Sequence, residues 1–388
     1  MNLFFPQKRI FLDYASTTPV LPEVLDAMKP FFKDHFANPS AIYKEGMDAK
    51  KAVGEARHEI AGLLGVRKEE IFFTGSGTES CNLAILGVVN SYKGNRPPHI
   101  ITSTIEHPAV AQALQAVEKM GGRVTYLEPT EEGIVSAEAV AEALTKDTIL
   151  VSIMYANNEI GTVQPIKEIG KVIREYRNQE TKEIYFHTDA SQAANYFSIS
   201  PARLGVDLLT LDATKIYGPK GVGLLYIKDG VRIVPITYGG GQEGGLRSGT
   251  ENVAGIVGMA KAFSIVQKDA EKESSRLTIL RDYCIKNIKK SFPRATLNGG
   301  LDRLPNNINF CFPGIDSEFA VLSLDAEGIA VSAASSCRTL AKNHSSYVIE
   351  AIHKHGCSSS SLRFTLGRDT KKKDIDFLIH TLIRRIRE

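Results

Sequence analysis

The sequence predicts an α/β fold: a large domain on a mostly parallel sheet, followed by a smaller α+β domain. Three observations predict it. From about residue 50 to 230, amphipathic helices alternate with short apolar runs. The glycine-rich segment 239–245 then breaks the pattern. Beyond a long helical stretch at 253–292, the tail 294–388 reads as a smaller unit of mixed elements. Continuous apolar strands separated by helices belong to a sheet covered on both faces. The boundary is placed near residue 265, with 15–265 in the large domain and 1–14 and 266–388 in the small one.

The elements follow in order. Ala52, Val53, Ala56, Ile60, Leu63 and Leu64 recur at three-to-four spacing and predict a helix with one buried face. Ile71-Phe72-Phe73 leads into Thr74-Gly75-Ser76-Gly77-Thr78 and then a helix carrying Leu83, Ile85, Leu86 and Val88. Runs rich in β-branched and aromatic residues predict strands at 100–102, 124–127, 149–153, 184–186, 208–211 and 224–227. Pro165 sits at a first helical position ahead of Ile166, Ile169, Val172, Ile173 and Tyr176.

Composition narrows the function classes. The chain has 388 residues with 47 Lys+Arg against 44 Asp+Glu, a net charge of +3 with both signs interspersed. That balance gives no support to nucleic-acid wrapping or a polybasic membrane anchor. No apolar run approaches the roughly 20 residues that span a bilayer. The opening residues lack the order of charged, apolar and small segments of a secretory signal, so a cytoplasmic setting is expected. The five cysteines form neither a CxxC zinc clamp nor a dense disulfide framework. They read as inert core or as individually reactive thiols.

In open α/β sheets, ligands bind beyond the carboxyl ends of the strands. Five predicted strands end in chemistry here: Gly75 to Thr78, Glu106-His107, Asn157-Asn158-Glu159, His187-Thr188-Asp189 with Gln192, and Asp212 to Lys215. The glycine-rich turn entering a helix offers N–H groups and a dipole end to a phosphate, although an ordinary turn would look the same. It is neither GxGxxG nor GxxxxGK[ST], which weakens the dinucleotide and nucleoside-triphosphate readings. His187 and Asp189 point the same way from a strand, but no third metal ligand is evident. A buried Asp189 calls for a cation, and a pyridinium nitrogen is one. Lys215, just past an apolar strand, is either a desolvated amine nucleophile or a surface lysine at a turn. Taken together, the phosphate turn, the acid and the lysine make a set suited to pyridoxal 5'-phosphate (PLP).

LDYASTTP (12–19), FTGSGTESCNLAI (73–85), EHPAV (106–110), VSIMYANNEIGTVQP (151–165), HTDASQ (187–192), KIYGPKGVG (215–223), RSGTEN (247–252), SSC (335–337) and RFTLGR (363–368) resemble the cysteine desulfurases. These belong to the class V aminotransferase branch of fold-type I PLP enzymes. The resemblance covers nearly the whole chain in the same order. It implies that Lys215 binds PLP covalently, that Asp189 pairs with the ring nitrogen, and that His107 stacks over the ring and shuttles protons. Gln192 and Asn158 would hydrogen-bond near the phenolate oxygen and the substrate carboxylate. Gly77 and Thr78 would cradle the phosphate with Thr214, joined by Thr250 of the partner subunit of a homodimer. Arg363 would clamp the carboxylate of L-cysteine, and Cys337 would take its sulfur as a persulfide, leaving L-alanine. No metal is implied.

Cys337 lies among Ser332, Ala333, Ala334, Ser335 and Ser336, a small-residue loop suited to a moving nucleophile. Cys81, Cys284 and Cys311 read as core, and Cys357 as a second thiol of open role. The long stretch from Cys337 to Tyr347 resembles the desulfurase group that hands sulfur to iron–sulfur scaffold and tRNA-thiolation proteins. Nucleic acid would then be met only indirectly. The chain also departs from the family: Asp212-Ala213-Thr214 replaces the usual Ser-x-His before the lysine, and Gly244 stands where arginine is common. An aspartate beside a phosphate repels it unless turned away or protonated. The alternatives are a selenocysteine lyase, a class V aminotransferase, or a catalytically weak homologue acting as an assembly subunit.

Overall fold

The computed structural model describes residues 9–180, 183–333, 345–353 and 355–386. A seven-stranded sheet organises the large part. Across it the strands run Ile71–Thr74, Gly223–Ile227, Leu208–Asp212, Tyr185–Asp189, Thr148–Ser152, His99–Ser103 and Arg123–Leu127. Gly223–Ile227 alone pairs antiparallel with both neighbours, so six strands share a direction and their carboxyl ends share an edge. Three of the strands, His99–Ser103, Thr148–Ser152 and Gly223–Ile227, are buried along their whole length, as expected of a sheet covered on both faces.

The helices cover the sheet for local reasons. Lys44–Leu64 buries Ala49, Val53, Ala56, Ile60, Ala61 and Leu64 and ends on Gly65, whose φ of 69° a side chain would disfavour. Leu63 and Ala52, counted above in the apolar stripe, lie at its flank: Leu63 is exposed and Ala52 half-buried. Gly77–Ser91 is capped by Ser76, whose side chain accepts the Glu79 N–H at 3.1 Å. The glycine-rich segment is pinned by Glu243, which takes two hydrogen bonds from the Arg57 guanidinium and one from the Phe73 amide.

One helix, Val253–Ser291, runs for 39 residues and passes through position 265. At about 1.5 Å per residue it is roughly 60 Å long. It packs on Lys44–Leu64 in the large part and on Lys372–Arg385 and Asn307–Cys311 in the smaller part. There an antiparallel sheet runs Ser332–Ala333, Ser361–Thr365, Asn307–Cys311 and Thr296–Leu297. The strand Ile10–Phe11 pairs with Ile329–Ala330. No helix among the described residues is long and apolar enough to cross a membrane.

The cysteines correct one expectation. Cys311 and Cys357, read above as a core residue and a second thiol of open role, form a disulfide with Cα atoms 5.3 Å apart. The strand pairing accounts for it. Cys311 lies opposite Ser361, and Cys357 precedes Ser361 by one tight turn in which the Ser361 hydroxyl donates to the Cys357 carbonyl at 2.7 Å. Cys81 and Cys284 are buried free cysteines, as read.

Candidate active site

The five chemical strand ends meet at one cavity of 330 Å³. It gathers Lys215, His107, Gly77, Thr78, Asn158, Asp189, Gln192 and Arg363 of the residues singled out from the sequence, with Ser16, Ser191 and Asp212 beside them. Thr250 is exposed and does not line it. The Thr214 side chain turns away to donate to Asp212 Oδ1 at 2.7 Å. Cys337 lies outside the described residues.

Asp189 closes the end of its strand. Its Oδ1 accepts the Ser191 N–H at 3.0 Å, while Oδ2 lies 3.7 Å from the Cys81 thiol. Cys81 also approaches the Thr210 hydroxyl at 3.6 Å, and Thr210 reaches His187 Nε2 at 3.0 Å. Burial pushes the Cys81 thiol well above its ordinary pKa, so it stays protonated and able to donate to the carboxylate. Burial likewise holds His187 down, to about 4, leaving a neutral ring between Ser152 and Thr210. His187 and Asp189 thus belong to a hydrogen-bonded network behind one carboxylate, and no group of metal-ligating side chains forms among the described residues.

His107 caps the helix Pro108–Lys119: the Ala109 N–H donates to its Nδ1 at 3.2 Å. That bond assigns the ring proton to Nε2. Burial is the main cause holding the imidazole below its usual value. Beside it Glu106 is fully buried, accepts from Ser103 Oγ at 2.7 Å and Met154 N at 2.9 Å, and is raised to about 8 by burial. It is therefore protonated at neutral pH.

Lys215 sits in a one-turn helix past Leu208–Asp212, and its Nζ donates to the Ser16 carbonyl at 2.5 Å. Gln192 Nε2 donates to the Ala15 carbonyl at 2.9 Å. Arg363 is 2% exposed. Its guanidinium is held by Asp13 Oδ1, Ser16 Oγ and the Asn158 carbonyl at 2.8, 2.8 and 2.9 Å. Asp13 and Ser16 are site residues that the sequence reading missed, both within the quoted LDYASTTP motif; Cys81, read as core, lies within the quoted FTGSGTESCNLAI motif and supports Asp189.

The residues fit a flat cofactor with a cationic ring nitrogen, a carbonyl able to meet an amine, and an anionic tail. Asn158 Oδ1 and Arg363 Nε are buried at the cavity without a hydrogen-bond partner among the described residues. Buried polar atoms of this kind call for a ligand or water. At the tail end lies the start of Gly77–Ser91, whose amides and dipole favour an anion.

The sheet order, the cavity at its carboxyl edge and the smaller antiparallel unit define an α/β enzyme with the fold-type I architecture of PLP-dependent transferases. The chain belongs to the class-V aminotransferase family, whose model matches residues 10–378. Relatives include the cysteine desulfurase IscS of Dictyoglomus turgidum, 46% identical over 384 residues, which cover 97% of this chain and 94% of that protein. The cysteine desulfurase IscS of Methanosarcina thermophila is 42% identical, over 98% of this chain and 93% of its own. Among solved structures, a NifS-like protein superposes with a TM-score of 0.90 at 32% identity, covering 97% of this chain and 98% of the other. The structure of SspA in complex with cysteine gives 0.80 at 36% identity over 92% and 98%.

Proposed function

We propose that this chain is a PLP-dependent cysteine desulfurase: L-cysteine and the Cys337 thiol become L-alanine and a Cys337 persulfide. The observation that carries this reading is one cavity lined by an amine, a carboxylate, a neutral imidazole and a buried guanidinium, from Lys215, Asp189, His107 and Arg363. When bound, PLP supplies a sink for the electrons of bonds broken at the substrate.

Lys215 would hold the cofactor. Asp189, oriented by Ser191 and Cys81, would keep a proton on the ring nitrogen. His107 would move protons through Nε2, the nitrogen its capping bond leaves available. Arg363 would bind the substrate carboxylate, its plane already fixed by Asp13, Ser16 and Asn158. Asn158 and Gln192 would contact the ring oxygen side, and Gly77 and Thr78 the phosphate, with Thr250 of the partner subunit in a homodimer.

The described residues on either side of Cys337 support its role. Ser332 pairs with Arg363 across the small sheet. The Tyr347 hydroxyl donates to the Glu106 carbonyl at 2.6 Å, next to His107. The sulfur would pass to an acceptor protein such as an iron–sulfur scaffold or an RNA-thiolation protein, in the cytoplasm. The domain partition proposed is 15–265 against 1–14 and 266–388.

Incubation with L-cysteine and a thiol, with alanine and sulfide measured together, tests the reading. Equal yields of the two are expected. Alanine without sulfur release, or neither product, would remove it.

A further inference from the structure

The end of the cavity proposed above for the cofactor's phosphate holds a carboxylate side chain. Asp212 ends the strand Leu208–Asp212, and its Oδ2 accepts the N–H of Gly77, the first residue of Gly77–Ser91, at 3.2 Å. Its Oδ1 is clamped by the Thr214 amide at 2.8 Å and the Thr214 hydroxyl at 2.7 Å. The approach is close: a Cβ on Gly77 would lie 2.9 Å from Asp212 Cβ and 3.0 Å from Oδ2. Asp212, Gly77 and Thr78 line the same cavity as Lys215.

A helix N-terminus stabilises one nearby anion well, and a second anion at the same amide is repelled by the first. Two further charged side chains stand at this helix start. Glu79, in the first helical turn, is a further carboxylate, and its Oε2 takes the Gly75 amide at 2.7 Å. Arg247 is already paired with Glu79 at 2.8 Å. Lys215 follows Asp212 at the same strand end, and its Nζ donates to the Ser16 carbonyl at 2.5 Å.

Resting on the PLP reading, we infer that Asp212 is a specificity-determining residue that competes with the cofactor's phosphate for the Gly77 amide. The carboxylate serves as an internal anion at this helix start, and the phosphate must displace it. The phosphate group therefore adds less to cofactor affinity in this chain than it would without Asp212.

A ligand-by-variant cycle tests this on cofactor-free protein. PLP and pyridoxal, which lacks the phosphate, are titrated into wild type, Asp212→Asn and Asp212→Ser, with the yellow colour of the lysine-bound ligand as readout. Asparagine keeps an oxygen for the Thr214 contacts, and serine removes the group. Both variants are expected to bind PLP about tenfold tighter or better, the scale of one like-charge contact. Pyridoxal binding should stay within about twofold, since it carries no charge at that end. Equal shifts for the two ligands, no shift, or weaker PLP binding in both variants would overturn the inference while leaving the cofactor reading intact. Colour with neither ligand in any of the proteins would overturn both.

Discussion

The two ends of the cavity are built on different terms. At the proposed ring end Asp189 is supported by Ser191 and Cys81, His107 by the Ala109 amide, and Arg363 by Asp13 and Ser16. At the proposed phosphate end the helix start is preformed, but Asp212 of the same chain accepts its first amide. The ring end must hold reacting atoms to within a fraction of an ångström, whereas the tail end supplies only binding energy.

That contrast can be broken from the ring end first. Lys215→Ala removes the amine that would carry the cofactor, so the yellow colour and sulfur release should fall to background; a retained spectrum would place the attachment elsewhere. His107→Gln should lower kcat/KM by about 10²–10⁴-fold, the usual share of a positioned acid–base. The sign of its pH dependence follows from burial. A lowered imidazole pKa keeps the ring neutral until the pH drops below its ordinary value of 6.5. The acid limb of kcat/KM should lie below that value and vanish in the variant.

Asp189→Asn should cost about 10²–10³-fold in kcat, the scale of one misplaced charge in a desolvated site. It should also shift the absorption of the bound cofactor, a change that a merely structural role would not produce. The smallest effect is on stability. The Glu106 carboxyl is raised from 4.5 to about 8 in the folded protein. Between those values the unfolded chain ionises and the folded one stays protonated, so stability falls as pH rises through that window. Glu106→Gln should flatten the decline in the urea midpoint; an equal slope in both proteins would show that Glu106 is not the buried acid responsible.

Much of this was legible before the structure. Alternating helices and apolar runs defined the sheet, and the polar residues after five runs marked the cavity, because period and strand ends are local signals. The missing parts are contacts across long sequence distances. Cys81 supports Asp189 from 108 residues away, and Arg363 is fixed by Asp13 from 350 residues away. The pairing of Cys311 with Cys357 needed the register of a small antiparallel sheet, which no cysteine spacing reveals. The direction in which Asp212 turns was also open, since both turning away and facing the phosphate suit a strand end. Only the Gly77 contact decides it.

In the proposed reaction, sulfur leaves cysteine at this cavity and arrives on Cys337. One turnover with a stoichiometric amount of L-cysteine, without added thiol, followed by peptide mass analysis under non-reducing conditions, tests it most directly. One alanine per chain and the added mass of one sulfur atom on the peptide carrying Cys337 are expected. Alanine formed with the added sulfur on another cysteine, or on none, would contradict it.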